Sequence, residues 1–399
     1  MNSTVISVPL TGGSASTYRP TAAYFAAFVA LGLTTGSLGP TLPSLAEQTQ
    51  VGLSAISYVF TARSLGYLLG SVRGGMLFDR RPGNPVMAAM LLTMSIMMAL
   101  VPLASRLWLL LIAMFILGAA EAGLDAGANT LLAWVHGNRV APFMNAMHSF
   151  FGVGALIAPL VVAQAVSFKL QATHSYLILA LLLLPVSLLM LRLPSPTPST
   201  DARSEERSTT VDAQLVFLIA LFLFLYVGAE VGFAGWIFTY ATKLRLSDAS
   251  TAAYLTSLFW SSLALGRMLT IPVAAWFKPR TILISSLAGC LLGLAVMLLR
   301  PGSFAAILVG TTGLGLSMAS IFPTTLSFAG NRMKLTGRIT GWFVFGASAG
   351  SMLIPLGIGQ AFQTVGPRVV VFVTTVTLLA AGGVLAAMIR TPKAVEINQ

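Results

Sequence analysis

Charge is scarce in this chain. Of 399 residues only 9% are Asp, Glu, Lys or Arg and 56% are hydrophobic, whereas a soluble domain carries about a quarter charged residues. A water-soluble surface cannot be assembled from that inventory. Acids are the rarer sign: 11 Asp and Glu stand against 23 Lys and Arg, with 3 His. The single cysteine, Cys290, lies inside an apolar block, which excludes an intrachain disulfide framework and cysteine-built metal sites. The sequence offers no nucleophile–base pair, metal-ligand cluster or phosphate-binding loop, so an enzyme is not expected and no cofactor is implied. A net charge of +12 raises nucleic acid as a partner. The basic residues are scattered through short loops, with no Lys/Arg stripe interleaved with aromatics, and that partner is set aside. Residues 1–20 are Ser/Thr/Gly-rich with the first basic residue at Arg19. They lack the charged start of a signal peptide, so the first apolar block is expected to be retained.

What the chain has in quantity is apolar runs long enough to cross a bilayer core, which takes ~20 helical residues. Bounded by Pro, Gly and charge, they fall near 21–42, 53–78, 85–104, 107–135, 142–166, 174–193, 213–241, 249–277, 280–299, 303–328, 336–362 and 368–390. The expected fold is an all-helical membrane protein of twelve spans, with the lipid bilayer as its first partner. Connections are short except 194–212, a Pro/Ser/Thr-rich charged stretch that reads as a flexible linker. The organisation is therefore a tail at 1–20, a six-helix bundle at 21–193, the linker, a second bundle at 213–390 and a tail at 391–399. Fourteen Lys and Arg fall on the side of the termini and linker and six on the other, with Arg63, Arg73 and Arg267 inside spans. By the positive-inside rule both termini are cytoplasmic. The expected setting is a cell membrane, a bacterial inner membrane, with the protein working as a monomer.

The two bundles echo each other. Gly154-x4-Pro159-Leu160-x3-Gln164 in the fifth span recurs as Gly350-x4-Pro355-Leu356-x3-Gln360 in the eleventh, an offset of 196. Gly137-Asn138-Arg139 recurs as Gly330-Asn331-Arg332 at an offset of 193. Two neighbouring matches at near-equal offsets imply a repeated six-helix unit. Such parallel repeats place a solute site at their interface near mid-membrane.

The fourth span carries the densest polar face. Glu121, Asp125 and Asn129 are spaced i, i+4, i+8 and project within about 80° of one another. Acids at the bilayer centre cost several kcal/mol, so this face meets a cavity or a partner. Two carboxyls a turn apart also raise each other's proton affinity, the property an ion-coupling group needs. Glu121 has a second reading as a packing ion pair with Arg63 or Arg267. Asn129, Asn145, His148, Glu230, Trp236 and Tyr240 supply the amide, carboxylate and aromatic groups that bind polyols. Trp236 and Tyr240 equally suit an interfacial aromatic belt, and His148 equally suits packing. Trp260 and Trp342 read first as packing. Small and polar residues of the first span, Thr34, Thr35 and Ser37 among them, serve either a cavity or tight helix contact.

Gly75-Met76-Leu77-Phe78-Asp79-Arg80-Arg81 resembles the loop 2–3 signature of the major facilitator superfamily, in which Gly75, Asp79 and Arg80 would act as a conformational latch. Pro82 and Asn84 interrupt its basic tail. Leu124-Asp125-x3-Asn129 and Asn145-Ala146-Met147-His148-Ser149-Phe150-Phe151-Gly152 resemble the fucose permease and sodium-dependent glucose transporter branch. So do Tyr226-Val-Gly228-Ala-Glu230-x5-Trp236-x3-Tyr240, Gly266-Arg267 and Thr340-Gly341-Trp342. The resemblance implies a major facilitator fold of two pseudo-symmetric halves. It also implies secondary transport of a sugar or similar small solute by alternating access, coupled to H+ or Na+, with Asp125 as the coupling carboxylate. The branch carries a second acid in the first span, where this chain has Gly39, so Glu121 or Glu230 would substitute. Gly154-x3-Ala158-Pro159 partly resembles the motif of drug or metabolite:proton antiporters, an alternative of the same fold. A non-transporting membrane receptor is the alternative of another class.

Overall fold

A computed structural model describes residues 14–78, 81–197, 212–333 and 335–391. These are all helix and short connection, with no strand among the described residues. The first half comprises α1 (Ser14–Gln48), α2 (Leu53–Ile56), α3 (Tyr58–Phe78), α4 (Gly83–Leu100), α5 (Leu107–His136), α6 (Val140–Ser167) and α7 (Ser175–Arg192). The second comprises α8 (Ala213–Lys243), α9 (Ala249–Trp276), α10 (Pro279–Leu299), α11 (Phe304–Met318), α12 (Ile321–Gly330), α13 (Gly337–Val365) and α14 (Val369–Arg390). Eleven stretches of the described residues are long and apolar enough to cross a membrane by themselves. The twelfth crossing is α2 with α3, made polar by Arg63 and Arg73. An even number of crossings leaves the start of α1 and the end of α14 at the same end of the bundle, here termed the near end.

Two crossings that the sequence reads as continuous are broken. Between α11 and α12 the reason is Pro323, which has no N–H for the Ala319 carbonyl and is tolerated in the first turn of α12. Between α2 and α3 the chain turns at Ser57, whose hydroxyl donates to the Ser54 carbonyl at 2.6 Å. In the second half, helix starts are capped by side chains: Asp212, Asp248, Ser303 and Thr336 accept backbone N–H bonds at α8, α9, α11 and α13. At the exposed Asp248, bonds from Thr251 hold the carboxyl below the usual carboxylate range.

Pseudo-symmetry is visible in how the helices touch. An added Cβ at Gly154 would lie 2.0 Å from the Val29 carbonyl oxygen, and one at Gly350 would lie 1.9 Å from that of Phe224. So α6 presses its glycine on the backbone of α1 as α13 does on α8, which is what the repeated motif encodes. The α3–α5 pair repeats as α9–α11. Gly118 meets the Arg63 carbonyl and Gly66 that of Phe115, while Gly315 meets Phe259 and Gly266 meets Leu316.

The halves meet along α1 with α8, α3 with α13 and α6 with α9. At the far end Gln360 Nε2 donates to the Ser54 carbonyl at 2.8 Å, and Gln164 to the Tyr254 hydroxyl at 3.1 Å. The hydroxyls of Ser167 and Ser250 pair at 3.1 Å. Gly359 lies against Ser57, and Gly39 against the Ala234 carbonyl. Among the described residues the hydrogen bonds between the halves run from the far end to mid-span, where the hydroxyls of Ser64 and Ser351 pair at 3.0 Å, and none lies closer to the near end. The space between the halves on the near-end side, which no such bond crosses, is here termed the crevice.

Candidate functional site

Mid-way along α5, Glu121 faces the interface of the halves, and Arg63 of α3 reaches it with two nitrogens. Nε donates to Oε2 at 2.8 Å and Nη2 to Oε1 at 2.7 Å. Nη2 also donates to the Thr35 hydroxyl of α1 at 2.9 Å. The pair is buried, with 15% of the Arg63 side chain and 4% of Glu121 exposed. A bidentate guanidinium–carboxylate fork satisfies both charges at that depth. One turn on, Asp125 has different company. Its Oδ2 accepts from the Tyr67 hydroxyl at 2.5 Å and its Oδ1 from Asn129 Nδ2 at 2.9 Å. Among the described residues it has no salt bridge. Asp125 and Asn129 are both part-exposed to the crevice.

Across the crevice, Glu230 of α8 is approached by the Tyr226 hydroxyl. That hydroxyl also lies 3.0 Å from the carbonyl oxygen of Met318, the last residue of α11. Arg267 of α9 makes no salt bridge among the described residues, but its charge is felt at Glu230 and at His148. His148 of α6 is exposed, packs its ring edge-on to Phe28 with centroids 5.0 Å apart, and also feels Asp125. These groups therefore surround one space. Its far-end apex is a cavity of about 30 Å³ bounded by Thr35, Gly39, Phe60, Arg63, Gly235 and Trp260, room for about one water. A larger hollow, about 660 Å³, lies at the far-end surface around Gln48, Arg106 and Trp108, built entirely by the first half and away from this cluster.

A profile of the Major Facilitator Superfamily matches residues 24–355. The chain belongs to that superfamily. It is 31% identical to sodium-dependent glucose transporter 1A of Mus musculus over 372 residues, covering 84% of this chain and 88% of the mouse protein. It is 32% identical to sodium-dependent glucose transporter 1 of Xenopus laevis, covering 81% of this chain and 72% of the frog protein. A mutant of the nucleoside transporter NupG superposes with a TM-score of 0.76 at 16% identity, covering 94% of this chain and all of that one. The E. coli fucose:proton symporter superposes with a TM-score of 0.60 at 18% identity and the same coverage. The expected major facilitator fold of two pseudo-symmetric halves is the one observed, with the fourteen described helices grouped into twelve crossings.

Within this major facilitator chain, the residues singled out from the sequence fall into three places. Glu121, Asp125, Asn129, His148, Glu230, Arg63 and Arg267 lie on or beside the crevice, and Asn145 is exposed about a turn before His148 on α6. Trp236 and Tyr240 do not: they are 0% and 1% exposed, facing neither the open crevice nor lipid. The Trp236 indole donates to the Pro355 carbonyl at 3.0 Å and lies between the rings of Phe60 and Phe362, centroids 6.2 and 5.2 Å away. In this conformation Trp236 is part of the far-end seal, and Tyr240 lies beyond it near Arg368. The latch residues Asp79 and Arg80 lie outside the described residues. Gly75 is in the last turns of α3, and next to them the ring of Phe78 packs on Gly127 of α5.

One residue beside the site escaped the sequence reading, and one has neighbours beyond ordinary packing. Tyr67, which donates to Asp125, is not among the residues singled out from the sequence. Its signal was the spacing from Arg63, i and i+4 on one face of α3. Trp260, read as packing, borders the apical cavity and contacts Phe151 across the halves. Asn84, which breaks the basic tail of the loop signature, has a structural task. Its amide donates to the Pro194 carbonyl at 2.8 Å and accepts from the Tyr24 hydroxyl at 2.9 Å, tying α4 and α1 to the start of the linker.

Proposed function

We propose that this chain is a secondary transporter that moves a sugar or a similar small hydrophilic solute by alternating access, coupled to H+ or Na+ at Asp125. One observation carries the reading. Of two neighbouring carboxylates on α5, Glu121 is neutralised by the Arg63 fork, while Asp125 meets only the neutral donors of Tyr67 and Asn129. A part-exposed carboxylate with neutral partners gains or loses a cation without breaking a salt bridge. Asn129, Asn145 and His148 then offer the solute donors and acceptors, and Trp260 an aromatic face for its C–H surface. The names of the glucose-transporting relatives support a sugar, and the exposed position of Asn145 and His148 supports entry from the near end. With the near end cytoplasmic, as the Lys/Arg asymmetry favours, the conformation is inward-facing. The halves 21–193 and 213–390 would rock about the α1–α8, α3–α13 and α6–α9 contacts.

Purified protein in proteoliposomes, given labelled glucose or fucose under an imposed proton or sodium gradient, tests the assignment. Wild type is expected to accumulate sugar against its gradient. Asp125→Asn is expected to lose accumulation yet retain sugar exchange at equal ion concentrations, because uncoupling removes the driving force and leaves the rocking intact. Undiminished accumulation by Asp125→Asn would remove Asp125 from the coupling role.

A further inference from the structure

Hydrogen-bond bookkeeping around Glu230 does not close for an ionised carboxylate. The Tyr226 hydroxyl has one hydrogen and two acceptors within reach, Glu230 Oε2 and the Met318 carbonyl. If it donates to a carboxylate, the Met318 carbonyl loses that donor. If it donates to Met318, two oxygens without a hydrogen between them face each other in a site where no salt bridge compensates. A proton on Glu230 resolves both. The carboxylic acid donates to the Tyr226 oxygen and Tyr226 donates to Met318, so the two groups form one continuous chain.

We infer that Glu230 is a proton-binding site, separate from Asp125, and that Tyr226 relays its occupancy to the break between α11 and α12. The proton comes from water in the crevice, adds to the carboxylate and leaves by the same route. The titratable groups around it are Tyr226 on its own helix, Arg267 of α9 and Cys290 of α10. Among the described residues no side-chain hydrogen bond or salt bridge joins it to a titratable group of the other helices packed on α8, namely α1, α12, α13 and α14. When Glu230 ionises, Tyr226 swings its hydrogen to the carboxylate, and the carbonyl of Met318 at the end of α11 is released. The break beside it, already weakened by Pro323, is where that change is felt. Proton loss is thereby linked to a bend in the second half, while Asp125 acts in the first.

The inference rests on the reading of the chain as an ion-coupled transporter, but its test needs no flux. Full-length protein in lipid nanodiscs, titrated by infrared difference spectroscopy without sodium, is expected to show a carboxylic-acid C=O band at neutral pH. The band should vanish in Glu230→Gln and persist in Asp125→Asn. Glu230→Asp should keep a displaced band, a control if Glu230→Gln folds poorly. In wild type, amide exchange at residues 319–322 should rise as the band is lost on raising pH, and in Tyr226→Phe the two should separate. A band indifferent to Glu230→Gln, or one abolished by sodium at constant pH, overturns the proposal. Sugar accumulation with no such band sinks this inference alone, and a Glu230 band without flux under any gradient sinks the transport reading alone.

Discussion

At the scale of single residues, the energetics turn on how buried charge is neutralised. The Arg63–Glu121 pair is weak evidence of stability in itself, because desolvation offsets most of its attraction. Breaking it is another matter. Arg63→Ala leaves Glu121 buried without a partner, and thermal or denaturant unfolding is expected to show a loss of about 3 kcal/mol. The double substitution Arg63→Met/Glu121→Leu should recover most of that loss, since both charges are gone and the volume is roughly kept. Tyr67→Phe belongs to a different class. It removes one of two donors to Asp125 and is expected to lower sugar accumulation under an imposed ion gradient, because the proposed coupling carboxylate is held by one partner fewer. Accumulation in proteoliposomes, wild type against variant, would register the loss. Glu121, Asp125 and Asn129 were legible because a four-residue spacing fixes a common face whatever the helix packs on. Their division of labour was not, since it depends on Arg63 and Tyr67, which reach α5 from another helix. Trp236 was misplaced for a related reason: no local pattern separates an aromatic at a cavity from one at a seal between halves.

At the scale of helices, glycine sets how close backbones come. Gly154 and Gly350 are positions where any side chain collides with a carbonyl of the partner helix. Gly154→Val is expected to part α6 from α1 and cost several kcal/mol by overpacking, read as loss of monodisperse protein on extraction. By contrast Gly382, where an added Cβ meets nothing within 4 Å, should accept alanine with no loss. The Gly/Pro repeat was readable because close approach leaves a sequence trace in every copy. The break between α11 and α12 was hidden because Pro323 sits inside an apolar run that is long enough to pass as one span. Its counterpart in the first half, α5, is unbroken and carries the acids. One half thus carries charge on a continuous helix and the other carries a hinge.

At the scale of the molecule, the hydrogen bonds between the halves gather from the far end to mid-span, so distance between halves at the far end can be used as a switch. Ser167 and Ser250 touch across the seal. The double variant Ser167→Cys/Ser250→Cys is expected to lose transport on oxidation and regain it with reductant, since a cross-link there forbids opening at the far end. The native Cys290 is buried on the second half and does not compete. Flux that survives complete cross-linking would mean that the halves do not part at this end.

The composition of that seal carries one more consequence. It is made of serine hydroxyls, glutamine amides, stacked rings and glycine contacts, and the described residues place no ion pair in it. Dissolved ions screen charge and leave such contacts untouched. The balance between open and shut forms should therefore stay level across about a tenfold change in ionic strength at fixed pH and fixed coupling ion. In a habitat where external salinity swings, such a barrier would keep the same strength.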